Sequence, residues 1–325
     1  MIHSPGTSPV VIEVGFRSPR LDKLLAQHLE GHSRAEIQRL ISEGAVTVDG
    51  KLCRPSFKPS AGAVVKIVIP DTKDTSLKPE DLALDIIYQD DDMVVINKRA
   101  GMVVHPSKGH YSGTLVNGLL HALAGLSTIG GEERPGIVHR LDKGTSGLMV
   151  VACNNVAHSN LQAQFADHSA GRRYYALTLG APDLDGGVIR STLGRDIRDR
   201  MKYSSGEKGK LAVTNWRVKE RFGSSPRPGK KKQWWASLLE FKLETGRTHQ
   251  IRVHSLEMSH PVLCDPLYKT RRQPPVHVHE MLSGIDHQLL HAYRLDLTHP
   301  KTGERLTFEV EPPTDFQTVL EFFRA

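Results

Sequence analysis

Cysteine is scarce in this chain. Three of 325 residues, Cys53, Cys153 and Cys264, stand too far apart for a CxxC metal pair or a disulfide framework. Such sparse use fits a reducing compartment, and the cytoplasm is the expected location. No run of about eighteen apolar residues occurs, which excludes a membrane-spanning helix. The opening MIHSPGTSPVV has no basic segment followed by an apolar one, so no signal peptide is expected. HExxH, a P-loop and a dinucleotide fingerprint are all missing, so neither a metal nor a nucleotide cofactor is expected. Internal repeats and low-complexity tracts are missing too. What remains is ordinary globular composition, 38% hydrophobic and 24% charged, in a chain long enough for two domains.

Positive charge is present but unevenly placed. The chain carries a formal +7, while Arg190 to Lys232 alone holds 14 Lys+Arg against 4 Asp+Glu, a net of +10. Everything outside that segment therefore sums to −3. The segment includes Arg195, Arg198, Arg200 and Lys202, then the run Lys230, Lys231, Lys232. A solvated loop is one reading of such a run. A phosphate-backbone partner is the reading that this concentration favours. An acidic membrane surface would call for a long amphipathic helix, and the sequence has none.

The hydrophobic pattern divides the chain into a tail (1–14), a small module (15–70), a linker (71–82) and a large domain (83–325). In the module, Ser18-Pro19 predicts a helix start, with Leu21, Leu24, Leu25 and Leu29 at helical spacing. Ser33-Arg34-Ala35-Glu36 is a capping box opening a second helix that Gly44 stops. The period then falls to two at Val46–Val48, with Asp49-Gly50 as a hairpin turn and a further strand from Val64. In the large domain, strands are predicted at 84–88, 93–97, 148–152, 174–179 and 235–243, and helices at 114–123, 156–166 and 249–258. Strands that sometimes follow one another directly predict an α+β fold, a mixed and largely antiparallel sheet with flanking helices.

The most chemically loaded stretch is Arg134-Pro135-Gly136-Ile137-Val138-His139-Arg140-Leu141-Asp142-Lys143-Gly144-Thr145-Ser146-Gly147-Leu148. It is a glycine-rich loop running into an apolar strand, with the carboxylate of Asp142 among His139, Arg140 and Lys143. Neighbouring cations would keep Asp142 ionised, as a nucleophile or an anchor must be. A structural aspartate capping a turn through the Thr145 and Ser146 amides is the other reading. Histidines at His249, His254, His260, His287 and His291 raise a zinc-hydrolase reading that no motif supports.

RPGIVHRLDKGTSG resembles the signature of the RluA class of pseudouridine synthases, and the resemblance continues in order along the chain. Leu84–Lys98 followed by Ala100–Pro106 is similar to the family's opening hairpin, Gly113–Asn117 to its next helix start, and Arg172-Arg173-Tyr174-Tyr175-Ala176 to its tyrosine strand. LETGRTHQIRVH, from Leu243 to His254, is similar to its late motif, followed by His260-Pro261, Asp265–Tyr268 and Leu290-His291-Ala292. Together these span about 84–312. The first module resembles a small RNA-binding domain found in a small-subunit ribosomal protein. Three departures stand out: Lys98-Arg99 for the family's Lys-Pro, Gly144 for its Asp, and Cys153 for its Lys.

The resemblance implies an enzyme that isomerises uridine to pseudouridine in RNA, with no cofactor. It makes Asp142 the nucleophile, Arg247 its ion-pair partner, and Tyr174 the group that stacks on uracil and joins in late proton removal. Arg140 would fill the gap left by the extruded nucleotide. Arg34, Gln38 and Arg39 of the first module, and Lys230, Lys231 and Lys232, are the candidate RNA contacts. The two-domain layout and LETGRTHQIRVH favour large-subunit rRNA over tRNA as substrate, and a monomer without a membrane partner is expected. A non-catalytic ribosome-assembly factor and a tRNA-modifying synthase are the alternatives.

Overall fold

The computed structural model describes residues 10–15, 19–29, 34–68, 77–106, 110–129, 131, 134–224 and 233–325. Ser18, the capping-box side chains of Ser33 and Glu36, and the run Lys230, Lys231, Lys232 lie outside the described residues. The chain divides into two compact units, Met1–Ser76 and Leu77–Ala325.

The first unit contains β1 (Val10–Glu13), α1 (Leu21–His28), α2 (Arg34–Ser42), β2 (Val46–Val48), β3 (Lys51–Leu52) and β4 (Val64–Ile67). Its four strands form an antiparallel sheet in the order β1-β4-β2-β3. Leu21 and Leu25 of α1, Ile37 and Ile41 of α2, and Val46, Val65 and Ile67 of the sheet close one apolar core. Asp49 and Gly50 both adopt positive φ, the hairpin geometry that Asp-Gly predicts. Two expectations are corrected. The end of the expected tail is strand β1, paired with β4 and burying Ile12; four residues beside a Pro- and Gly-rich opening are too few to show periodicity. Helix α1 begins at Leu21 rather than at Pro19. Its first amides, on Leu21 and Asp22, are satisfied by the Phe57 and Pro55 carbonyls, so a loop takes over the work of a side-chain cap.

The second unit runs β5 (Asp85–Gln89), β6 (Met93–Lys98), α3 (Leu115–Ala122), β7 (Ser146–Ala152), α4 (Asn155–Ala166), β8 (Gly171–Leu179), β9 (Gly186–Arg195), β10 (Tyr203–Ser205), β11 (Lys210–Ser224), β12 (Gln233–Leu243), α5 (Gln250–Glu257), α6 (Val276–Met281), β13 (Leu290–Thr298), β14 (Arg305–Glu309) and α7 (Thr314–Arg324). One sheet joins its strands in the order β10-β9-β11-β12-β8-β13-β7-β6-β5, with β14 on β13. The β13–β7 pairing is parallel and the other named pairings are antiparallel, so the class is α+β, as expected. Gly147 lets β7 come this close to β13. It sits at φ +111°, and a Cβ there would lie 2.3 Å from the Ala292 carbonyl oxygen.

Residues 77–82, assigned to the linker by composition, are tied to the second unit. The Glu80 amide donates to the Asn117 carbonyl, the Asn117 side chain donates to the Lys78 carbonyl, and the Glu80 carboxylate accepts from the Gly113 amide. The described part of the basic segment, 190–224, is mostly strand, with Arg198 and Arg200 in the β9–β10 connection. It builds β9, β10 and β11 at one end of the sheet, where Ile197 and Met201 stand exposed beside Arg195, Arg198 and Arg200.

Candidate active site

The loop before β7 is held from three sides. The amide of Val150 donates to Nε2 of His139 at 3.1 Å, and the imidazole stacks on Phe165 at 4.3 Å between centroids. A ring that accepts there is neutral, and desolvation holds its pKa down at about 3. Leu141 is buried in the main core. From below, the ammonium of Lys98, 2% exposed, donates to the carbonyls of Arg99, Met102 and Lys143. Burial pushes that ammonium down to about 7, with Asp142 pulling the other way. Gly144 has its own reason: a Cβ would lie 2.5 Å from Oε1 of Gln288, whose amide donates to the Thr145 hydroxyl. The glycine is a packing requirement here.

These anchors set Asp142 into a cavity of about 600 Å³. Its backbone carbonyl accepts the Thr145 amide at 3.1 Å, so its side chain is not the turn cap. The carboxylate Oδ2 instead accepts from Nη1 of Arg252 at 3.0 Å. Arg252 is buried on α5, and its other edge grips Asp265 through Nε at 2.7 Å and Nη2 at 2.9 Å. Despite desolvation, the hydrogen bonds and charge of Asp265, then of Asp142, raise the guanidinium above its ordinary pKa. Asp265 is itself fixed by the Leu267 and Tyr268 amides, and Arg252 lies over the Tyr268 ring at 5.0 Å.

This corrects the expected ion pair. Arg247 lines the same cavity, but its Nε donates to the Leu211 carbonyl at 2.9 Å, and Asp142 belongs to Arg252. The missed signal was a charge between two apolar residues: Ile251-Arg252-Val253 puts an arginine into a buried helical turn, where it demands carboxylate partners. His249 is the other neighbour, with Nε2 3.9 Å from Asp142. The Tyr268 hydroxyl donates to the Tyr203 carbonyl and lies 2.8 Å from His249 Nδ1, which holds the ring with Nε2 on the Asp142 side. Desolvation lowers the His249 pKa, in keeping with a neutral ring.

Tyr174 sits on β8, 5% exposed, and lines the same cavity. Burial raises its phenol pKa while Arg172, two residues earlier on the same face, pulls it down. Arg140 stands exposed at the cavity wall. In the first unit, Arg34 and Gln38 have an internal partner: both donate to Oδ2 of Asp22, at 2.8 and 2.6 Å. Asp22 is fully buried. Burial would raise its pKa, but the bonds from Gln38, Arg34 and Arg20 outweigh that and hold it below the ordinary range. Arg39 remains on the surface, 4.0 Å from Glu43.

Among the described residues, the candidate histidines do not converge on one another but are engaged separately. His254 bonds Thr214 and Ser191, His291 bonds Ser146 and the Val310 carbonyl, and His260 bonds the Leu179 carbonyl. Among the described residues one group, Asp90, Asp92 and His299, has ligand atoms within 4.8 Å of one another. Its central carboxylate already accepts from Tyr88, His299 and the amides of Asp92 and Met93, so it serves as a turn cap.

An arginine-held carboxylate and a buried tyrosine lining one cavity of a mixed α+β sheet fit the pseudouridine synthase class expected from the sequence. Comparison with known proteins agrees. The RNA pseudouridylate synthase family model matches residues 92–257, and the S4 domain model matches residues 19–65. The chain is 43% identical over 308 residues to ribosomal large subunit pseudouridine synthase D of Zymomonas mobilis, covering 93% of each. It is 40% identical to the uncharacterized RNA pseudouridine synthase YlyB of Bacillus subtilis, covering 95% of each. Among solved structures, human RNA pseudouridylate synthase domain containing 4 superposes with a TM-score of 0.55 at 26% identity, over 74% of this chain and 93% of that one. The chain belongs to the RNA pseudouridylate synthase family and is an RNA-modifying isomerase with an S4 domain.

Proposed function

We propose that this enzyme converts selected uridines of large-subunit ribosomal RNA to pseudouridine in the cytoplasm, acting as a monomer with Asp142 as nucleophile. Relatives bearing the large-subunit name, at about 40% identity over nearly the whole chain, support the substrate. For the residue roles, the supporting observation is the Asp142–Arg252–Asp265 array beside Tyr174. In the reaction the N1–C1′ bond of uridine breaks, a C5–C1′ bond forms, and the proton lost from C5 is balanced by one gained at N1. Atoms and charge balance with no donor. A base inside a stack is out of reach of a carboxylate at the back of a cavity, so the uridine enters extruded, with Arg140 at the wall to fill the gap. Arg252 orients the Asp142 carboxylate, and Tyr174 provides the stacking face and takes part in removing the C5 proton. The S4 unit, through Arg39 and the exposed part of Arg34, and the run Lys230, Lys231, Lys232 contribute RNA affinity without chemistry. Pseudouridine mapping of total RNA, ribosomal and transfer, from a deletion strain complemented with wild type or Asp142→Asn tests this. Sites present with wild type and missing with the variant are expected. Modification by Asp142→Asn at more than a trace rate refutes the nucleophile, and sites confined to tRNA refute the substrate.

A further inference from the structure

Arginines at positions 172, 247 and 252 line the catalytic cavity, and they are not alike. Arg252 has two carboxylates. Among the described residues, neither Arg172 nor Arg247 has a carboxylate within 4.0 Å. Arg172 is only 9% exposed, and its buried Nε has no hydrogen-bond partner. Its guanidinium lies over the Phe165 ring at 5.3 Å, and a Cβ on Gly246 would stand 2.5 Å from its Nη1. Position 246 thus keeps the space that Arg172 occupies. Arg247, the next residue, is held at the cavity edge through its Nε, and its charge adds to the burden of the buried Arg172.

Burying a guanidinium without a counterion, close to a second one, is costly. The cost is recovered if an anion arrives with the ligand. Uracil and ribose are neutral, so the only anions that RNA brings to this cavity are its phosphates. We propose that Arg172 and Arg247 together receive one phosphodiester flanking the extruded uridine. The inference deepens the proposed function, since it concerns how that cavity holds RNA. Their planar donor edges suit phosphate oxygens, and the contact fixes the nucleotide along its strand while Asp142 and Tyr174 address the sugar and base.

The test uses the full-length protein with two kinds of probe. Uridine 3′-monophosphate and uridine 5′-monophosphate are compared with uridine as inhibitors. A transcript of large-subunit rRNA is used for binding and turnover. In the wild type one of the nucleotides should inhibit better than uridine by about tenfold or more. In Arg172→Met, which keeps an unbranched chain on Phe165 without the charge, that preference should vanish. The slope of log affinity against log salt for the transcript should fall by about 0.7. The loss should appear in KM more than in kcat, because a phosphate is bound alike in ground and transition states. Arg172→Lys should restore most of the slope. Arg247→Gln, at the cavity edge, should show the same loss and covers the case in which Arg172→Met does not fold. An unchanged salt slope with a reduced kcat and a displaced pH profile would overturn the proposal, assigning the cation to a Tyr174 phenolate instead. Equal inhibition by uridine and both nucleotides in the wild type would overturn it too. A wild type that leaves the transcript unmodified would count against the proposed substrate, and the nucleotide comparison would still decide the role of Arg172.

Discussion

Replacing Arg252 by Met tests the assignment of the Asp142 partner most directly. The substitution removes three charge-assisted hydrogen bonds, two to Asp265 and one to Asp142. The Asp265 side chain is fully buried, so it is left as a charge with only the Leu267 and Tyr268 amides for company. Removing one partner of a buried pair costs about 3–5 kcal/mol. For a unit of this size that should lower the melting midpoint by roughly 6–20 °C. Asp142 loses its closest cationic donor, with His249 the next neighbour at 3.9 Å. A carboxylate no longer fixed in position should cost about 100-fold or more in single-turnover rate. Arg252→Lys keeps the charge but not the fork, and should fall between. Arg247→Gln loses only the bond to the Leu211 carbonyl, so its midpoint should stay within a few degrees and its deficit should lie in RNA binding. Differential scanning calorimetry and a single-turnover assay read both effects. If Arg247→Gln shows the large losses and Arg252→Met does not, the geometry drawn for the nucleophile is wrong.

Other consequences follow from buried charges and from the unit boundary. Asp22 has a folded pKa below its unfolded value of about 3.9, so its stabilisation is present above that pH and fades as pH falls through it toward the folded value. Asp22→Asn should lower the midpoint of the S4 unit at neutral pH and remove this acid-dependent part, as pH-dependent melting would show. Lys98 has its pKa pushed down to about 7 against about 10.4 unfolded, so the unfolded chain binds more protons in between and stability should rise with pH over that window. Lys98→Met should abolish that rise and slow turnover through the released Lys143 carbonyl; a rise that persists would show that another group carries it. A protein beginning at Leu77 should fold with all catalytic residues, and one beginning at Leu82 should melt lower for want of the Lys78 and Glu80 contacts.

Much of the large domain was legible because its central strands are nearly continuous apolar runs. Met93–Lys98 and Ser146–Ala152 are buried on both faces and cannot be mistaken for helix at that length. The strands β9, β10 and β11 were not legible. They sit at one end of the sheet, alternate partly exposed residues with arginine and lysine, and look in sequence like the solvated loop that such a charge run usually is. At the cavity, the motifs singled out Asp142 and Tyr174, which both line it, but motif order says nothing about which of several nearby arginines faces the carboxylate. That choice follows from helix phase: α5 begins at Gln250 with Arg252 buried in its first turn, and Arg247 falls in the preceding turn, outside the helix. The internal partner of Arg34 and Gln38 was hidden for a related reason. Asp22, which they share, precedes them by more than ten residues, and local sequence cannot show that contact.

A carboxylate proposed as nucleophile in an enzyme for a polyanion poses an electrostatic problem, and the arrangement of charge in the cavity answers it. Asp142, Arg252 and Asp265 together carry one net negative charge at neutral pH. Alone, such a group would repel an approaching phosphate backbone across a cavity where screening is weak. Arg172 and Arg247, which have no carboxylate partner among the described residues, line the same cavity with Arg134 and Arg140, and Lys98 lies beneath the loop. Positive charge is thus held back from the carboxylates that would neutralise it and left to the strand, while the one guanidinium that must not move is saturated. On this view adding an internal counterion should be harmful. An acidic residue at position 246, beside Arg172, should raise the melting midpoint by pairing with the buried guanidinium and weaken RNA binding at the same time. Gly246→Asp is suited to the purpose because Gly246 is exposed and has no positive φ to strain. Opposite signs in the two measurements are expected. A midpoint that falls together with affinity would show that the substitution only crowds Arg172, and a midpoint that rises with affinity intact would show that Arg172 has no phosphate to lose.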